Sequence, residues 1–272
     1  MMLLAGLVDY HIHTKLCGHA RGEIVDYLSE ARTAGLLEIG FADHFPLLEH
    51  DRTGLTMSLE ELPVYYGQIS RLRETDCGVP VRVGIEVDYI PGQEKRVEDI
   101  LSQYEFDYVL GAVHHIGDLD FSSSRNFARI NSMDFDSLYR QYFTLVRECV
   151  GTGLFDILAH ADLIKKYGQT PSFDQRPFWE MAVEATAIAG MCIEVNASGL
   201  RKPVKEIFPC AEFLKMCQEA RIPITLASDA HAPSEVGSGV ELASKLALEC
   251  GYTEAVRFAN RKVGQSIELC AS

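Results

Sequence analysis

Leu3-Leu4-Ala5-Gly6-Leu7-Val8-Asp9-Tyr10-His11-Ile12-His13-Thr14-Lys15-Leu16-Cys17-Gly18-His19 begins as an apolar run and breaks into three histidines. A run of this kind followed by polar residues reads as a buried strand ending in a loop. Residues 1–4 are read with the strand, because they lack the basic flank of a signal peptide. Side chains alternate along a strand, so His11 and His13 face the same side. Two imidazoles presented together make half a site for a divalent transition metal. A surface histidine cluster of no consequence is the alternative, and the rest of the chain decides.

The same rhythm continues to the far end. Strands are expected at 37–42, 81–85, 107–113, 155–159, 192–195 and 222–227. Helices are expected at 24–33, 59–74, 93–104, 135–150, 176–189, 211–220, 240–249 and 253–263, the second entered no earlier than its first-turn Pro63. Residues 43–58 and 116–134 read as loops. Strands alternating with helices, without a repeat or a Pro/Gly/Ser-rich linker, make 1–272 one parallel α/β domain. A closed barrel is the leading architecture and an open doubly wound sheet the alternative. No GxGxxG or P-loop follows the first strand to favour a nucleotide-binding sheet.

Composition narrows the function classes. With 47% hydrophobic and 24% charged residues, the 272-residue chain is that of a soluble globular protein with a substantial core. Its formal charge of −14 repels nucleic-acid backbone, so no extended DNA or RNA partner is expected. Bound cations would still leave room for a small anionic substrate. The eight cysteines form no CxxC pair and read as reduced, mostly buried thiols of a cytoplasmic protein. Cys17 reads as packing rather than as a ligand, and no apolar run is long enough to span a membrane.

What terminates each strand is the informative part. The ends carry His11 and His13, then Asp43 and His44, Glu86, His114 and His115, His160, and finally Asp229 and His231, while His19 follows in the first loop. Only His50 falls elsewhere without a role. In a parallel barrel all those ends gather at one face, where such folds do chemistry. The donors are nitrogen and carboxylate with no obvious thiolate, which favours zinc, iron or manganese. They are too many for one ion. A carboxylate such as Glu86 can bridge two, since each oxygen binds separately.

These residues, His-x-His at 11 and 13, Ala-Asp-His at 42–44, Glu86, His114, His160 and Asp-Ala-His at 229–231, resemble the polymerase-and-histidinol-phosphatase (PHP) superfamily in content and order. DYHIHTKLCGHA, GIEVDYIPG and VNASGLRKPVKEIFP are similar to its histidinol-phosphate phosphatase branch. The resemblance implies a distorted, TIM-like barrel of seven strands holding two to three divalent ions. It assigns His11, His13, Glu86 and Asp229 to one ion, Glu86, His114 and His160 to a second, and His19, His44 and His231 to a third. His115, next to His114, is expected to point the other way.

The implied reaction is hydrolysis of L-histidinol phosphate to L-histidinol and phosphate, in histidine synthesis, by in-line attack of a metal-generated hydroxide. Another small phosphate ester, a nucleotide or an oligonucleotide end is the alternative substrate, because function belongs to the site and not to the fold. Lys165, Lys166, Arg201 and Lys202 are the cations expected to meet the phosphate, Arg201 foremost. Asp43 is the expected acid for the leaving group, with orientation of His44 as its other reading. Asp9 reads as a support for the ligands, and 116–134, with Arg125 and Arg129, as a lid.

Overall fold

A computed structural model describes Leu4, residues 6–48 and residues 55–269. His50, Cys270, the stretch 1–3 and part of the 43–58 loop lie outside the described residues.

Seven parallel strands alternate with helices, and the chain's local signals place them. The strand β1 (Val8–Ile12) is buried at every residue. It starts later than the apolar run, because Gly6 at φ 90° turns the chain just before it. Helix α1 (Ile24–Ala34) opens on a capping box of Glu23 with Asp26 and stops at Gly35, φ 74°. Then come β2 (Glu38–Phe41), α2 (Leu62–Arg73) with Pro63 in its first turn, β3 (Val81–Asp88), α3 (Glu94–Leu101) and β4 (Tyr108–Ala112).

The expected loop at 116–134 is ordered instead. It holds a hairpin of β5 (His115–Ile116) and β6 (Leu119–Asp120), a 3-10 turn and the short α4 (Phe127–Asn131). Asp120 and Ser123, which look like loop residues in sequence, supply its turns through their side chains. Helix α5 (Phe135–Gly151), capped by Asp134, leads to β7 (Ile157–Leu158), α6 (Arg176–Ala189), β8 (Cys192–Asn196), α7 (Ala211–Glu219), β9 (Ile224–Ala227) and α8 (Val240–Glu249).

The helix expected at 253–263 is a second hairpin, β10 (Glu254–Ala259) with β11 (Lys262–Glu268). Its turn, Asn260-Arg261, has both residues at positive φ, 51° and 62°, the conformation of a tight two-residue hairpin. Arg in place of the usual Gly hid that turn. Ala255, Val256 and Phe258 are buried, and Phe258 lies 6.1 Å from the Tyr108 ring. The hairpin covers the end of the barrel opposite the histidines, where Arg261 N donates to Asp107 O at 2.8 Å.

The sheet runs β1-β2-β3-β4-β7-β8-β9 and is nearly closed. At the seam His13 N donates to Ala230 O (2.9 Å) and Ala230 N to His11 O (3.1 Å). Lower down, the buried Asp9 carboxylate accepts from Ser228 N and Gly237 N, both at 2.8 Å, and from the Ser228 hydroxyl. A side chain thus stands in for ladder bonds that the seam lacks. Inside, the Tyr108 hydroxyl donates to Tyr10 O (2.7 Å) between Gly40 and Gly84. A Cβ at Gly40 would lie 2.0 Å from that hydroxyl, so the glycine is a packing requirement.

Candidate functional site

The strands' C-terminal ends converge on Glu86, which is 1% exposed. Its two oxygens face different partners. Oε2 lies 2.8 Å from His44 Nδ1, 3.3 Å from His11 Nε2 and 3.7 Å from His13 Nε2. Oε1 lies 2.9 Å from His160 Nε2 and 3.7 Å from His114 Nε2. Asp229 Oδ1 approaches His13 Nε2 at 3.3 Å, and His231 Nε2 meets His19 Nε2 at 3.0 Å. The structure thus brings all nine expected ligands together. Several sets have donor atoms within 4.8 Å of one another: His11, His13 and Asp229; Glu86, His114 and His160; His19, His44 and His231; and, across these, His13, His44 and Glu86. His13, Cys17 and His231 also meet that distance, so Cys17 stands nearer the cluster than packing alone implies. His160 and Asp229 sit at positive φ, 26° and 54°, strain of the kind that concentrates where a side chain must be aimed.

Most of the imidazoles are held from outside so that their other nitrogen faces in. His11 Nδ1 pairs with Glu194 Oε1 at 2.6 Å, His13 Nδ1 with Asp43 Oδ1 at 3.4 Å, and His114 Nδ1 with Asp88 Oδ1 at 3.4 Å. Backbone carbonyls serve the other two: Cys17 O for His19 Nδ1 and Asp229 O for His231 Nδ1, both at 3.2 Å. An imidazole that donates outward presents a lone pair inward, which is how metal-ligating histidines are fixed. His11 Nε2, His13 Nε2 and Glu86 Oε2 are buried and make no hydrogen bond, the 2.8 Å approach of His44 Nδ1 to Oε2 being an ion-pair contact only. Each such atom costs about 1–3 kcal/mol unless something compensates it. Divalent cations satisfy all three together, so the residues fit a metal cluster.

The electrostatics agree. Burial opposes ionisation of Glu86, but His44, His11 and His114 outweigh it and hold its pKa well below the carboxylate range. Burial and the neighbouring imidazoles His44 and His13 push His19 down to about 4, so it is a neutral donor at pH 7. Burial and His13 likewise hold His231 well below its usual value. His11 and His13 are instead drawn up, against burial, by Glu194 and Glu86 and by Asp229 and Asp43 respectively. Cations compete with protons for those two nitrogens.

Beyond the cluster lies a cavity of about 400 Å³ whose wall includes His44, Asp120, Ser122, Lys166, Ser198 and Lys202. Several expected roles change here. Asp43 is fully buried and takes no part in the wall; it accepts from Thr14 N (3.0 Å), the Thr14 hydroxyl and His44 N (2.8 Å). His13 and those bonds lower its pKa despite burial, and its Oδ1 lies 3.4 Å from His13 Nδ1. Lys165 turns away into ion pairs with Asp162 and Glu206, both at 3.0 Å, and its neighbour Lys166 takes the wall position. Arg201 donates to Ser228 O (2.7 Å) and Asp229 O (3.1 Å), bracing the turn that aims Asp229. Arg125 lines the cavity, whereas Arg129 pairs with Asp118 at the surface. His115 also reaches the wall, its Nδ1 2.6 Å from Asp88 Oδ2, since β4 has ended and strand alternation no longer separates it from His114.

Glu194 went unrecognised in the sequence. Its Oε2 accepts from His160 N (2.8 Å) and Asn196 Nδ2 (2.9 Å) while Oε1 holds His11, so one carboxylate sets two ligands. The available signal was a charged residue inside the apolar strand Cys-Ile-Glu-Val-Asn. Glu194→Ala should weaken metal affinity ~10–100-fold, read by titrating apo-enzyme with zinc and a competing chelator. Unchanged affinity would reduce Glu194 to core packing.

The PHP domain profile matches residues 9–198. A Deinococcus radiodurans protein named "probable histidinol-phosphatase" is 38% identical over 262 residues, 96% of this chain and 99% of that protein. The Bacillus subtilis histidinol-phosphatase is 27% identical over 258 residues, 86% of this chain and 96% of that one. The crystal structure of histidinol phosphate phosphatase from Lactococcus lactis, complexed with zinc, L-histidinol and phosphate, superposes with a TM-score of 0.81 at 23% identity, covering 96% of this chain and 100% of that one. With strand ends, ligand cluster and relatives in agreement, the chain belongs to the PHP domain family.

Proposed function

We infer that this protein is a metal-dependent phosphomonoesterase that hydrolyses L-histidinol phosphate to L-histidinol and inorganic phosphate, a reaction of histidine synthesis. The observation that carries the chemistry is the two-sided Glu86 beneath a cavity lined by Lys166 and Lys202. The substrate rests on the relatives' names and on the Lactococcus complex. The described residues share one hydrophobic core, which supports a single domain over 1–272. Among them no helix is long and apolar enough to cross a membrane. All seven described cysteines are free, which favours a cytoplasmic protein.

The ligand sets follow the three clusters, Glu86 joining the first to the second. Zinc suits the nitrogen and carboxylate donors, and two to three ions use them all. Bound there, the ions would lower the pKa of a coordinated water and draw charge from the phosphoryl oxygens. Glu194, Asp43 and Asp88 keep the imidazoles aimed. Lys166 and Lys202, which line the same cavity, hold the phosphate.

Burial and Lys202 bring the Lys166 ammonium down to about 8. The cation is the binding form, so kcat/KM should fall as pH rises through about 8, and Lys166→Arg should move that limb to higher pH. An unshifted limb would take Lys166 off the phosphate. For the substrate itself, phosphate release is measured across a panel of phosphomonoesters. A preference for histidinol phosphate below about tenfold, ~1.4 kcal/mol, would defeat the specific assignment and leave the phosphatase.

A further inference from the structure

We propose that Asp120 recognises the primary ammonium of the substrate and thereby selects an amino-alcohol phosphate over other phosphate monoesters; this rests on the phosphatase reading above. A ligand that is dianionic at one end and carries an ammonium two carbons from the ester oxygen poses a problem for this cavity. Lys166, Lys202 and the bound ions attract the phosphate and repel the ammonium, so a carboxylate must face the amine close to the phosphate position.

Of the carboxylates on the described wall, Glu86 and Asp229 belong to the metal cluster. Asp88 commits one oxygen to His114 N (3.0 Å) and the other to His115 (2.6 Å). Glu235 accepts from His231 N (2.8 Å) and faces Arg201 at 3.7 Å. Asp120 differs. Ser122 N, Ser122 Oγ and Ser123 N all donate to its Oδ1, at 3.0, 2.8 and 3.0 Å. Its Oδ2 takes none of those three bonds. The carboxylate is therefore held in one orientation before any ligand arrives, which saves the cost of ordering it on binding.

The same segment also fixes the phosphate side. Lys166 Nζ donates to Ser122 O at 2.5 Å and Tyr167 OH to the same oxygen at 2.9 Å. An anion for the amine and a cation for the phosphate are thus set by residues two apart in one turn.

The test compares L-histidinol phosphate with its deamino analogue, 3-(imidazol-4-yl)propyl phosphate, on the zinc-loaded enzyme. Asp120→Asn keeps the Oδ1 acceptor and removes the charge. It should lower kcat/KM about 10–100-fold on the amine and change it less than about twofold on the analogue. Equal losses on both substrates in D120N would mark the segment as structural and overturn the proposal. No loss in D120N on either substrate would overturn it too. Wild-type enzyme that does not prefer histidinol phosphate to unrelated phosphomonoesters would instead overturn the substrate reading beneath it, and the proposal with it.

Discussion

Glu86→Gln should lower kcat/KM for phosphate release by ~10³-fold or more, about 4 kcal/mol of transition-state stabilisation, and should leave the enzyme short of metal. The amide matches the carboxylate in volume, so the barrel should fold unchanged. It loses the charge and one of the two acceptor oxygens, and those oxygens face separate partners: His11, His13 and His44 on one side, His114 and His160 on the other. Five imidazoles around a neutral amide can hold fewer cations than around a carboxylate. Steady-state phosphate release, metal per chain by plasma mass spectrometry and far-UV circular dichroism together separate lost chemistry from lost fold. Full metal content with activity within tenfold of wild type would remove Glu86 from the centre.

The second large effect is on stability. Asp9→Ala removes the acceptor for Ser228 N, the Ser228 hydroxyl and Gly237 N at a site with no water access. Orphaned buried donors cost ~1–3 kcal/mol each, so a loss of ~3–5 kcal/mol is expected. For a chain of this size that lowers Tm by roughly 6–20 °C. Asp9→Asn, which keeps one acceptor, should fall between the two. Thermal and urea unfolding read the loss, while activity per folded molecule stays near wild type. A Tm within about 2 °C of wild type would mean the seam closes without Asp9.

The barrel and the strand-end cluster of histidines and carboxylates were legible because both are local signals. A strand shows as a short apolar run, and each ligand falls within a few residues of such a run's end, as in His11, His44, Glu86 and His160. The supports were not legible because their partners are remote. Glu194 lies 183 residues from His11, and nothing near it in sequence announces a histidine. The lysines show a different limit. Lys165 and Lys166 are adjacent in a 3-10 turn, and only the turn's geometry decides which enters the cavity. Arg201 is expected at the phosphate, and the sequence did not show that its guanidinium also donates to the carbonyls of Ser228 and Asp229. The closing hairpin was missed because Asn260-Arg261 turns without glycine, and Ala255, Val256 and Phe258 bury on a surface that sequence does not display.

The seam also dictates when the molecule can be finished. Asp9 must wait for Gly237, 228 residues later in the chain, before its carboxylate has its last donor. Until then β1 carries a buried-type charge and a naked edge, and the residues that aim Asp229 and His231 have no wall to lean on. Closing so long a loop adds its entropy late, and long-range closures of this kind slow folding. On the ribosome the first strand made would therefore be among the last to find its permanent neighbour.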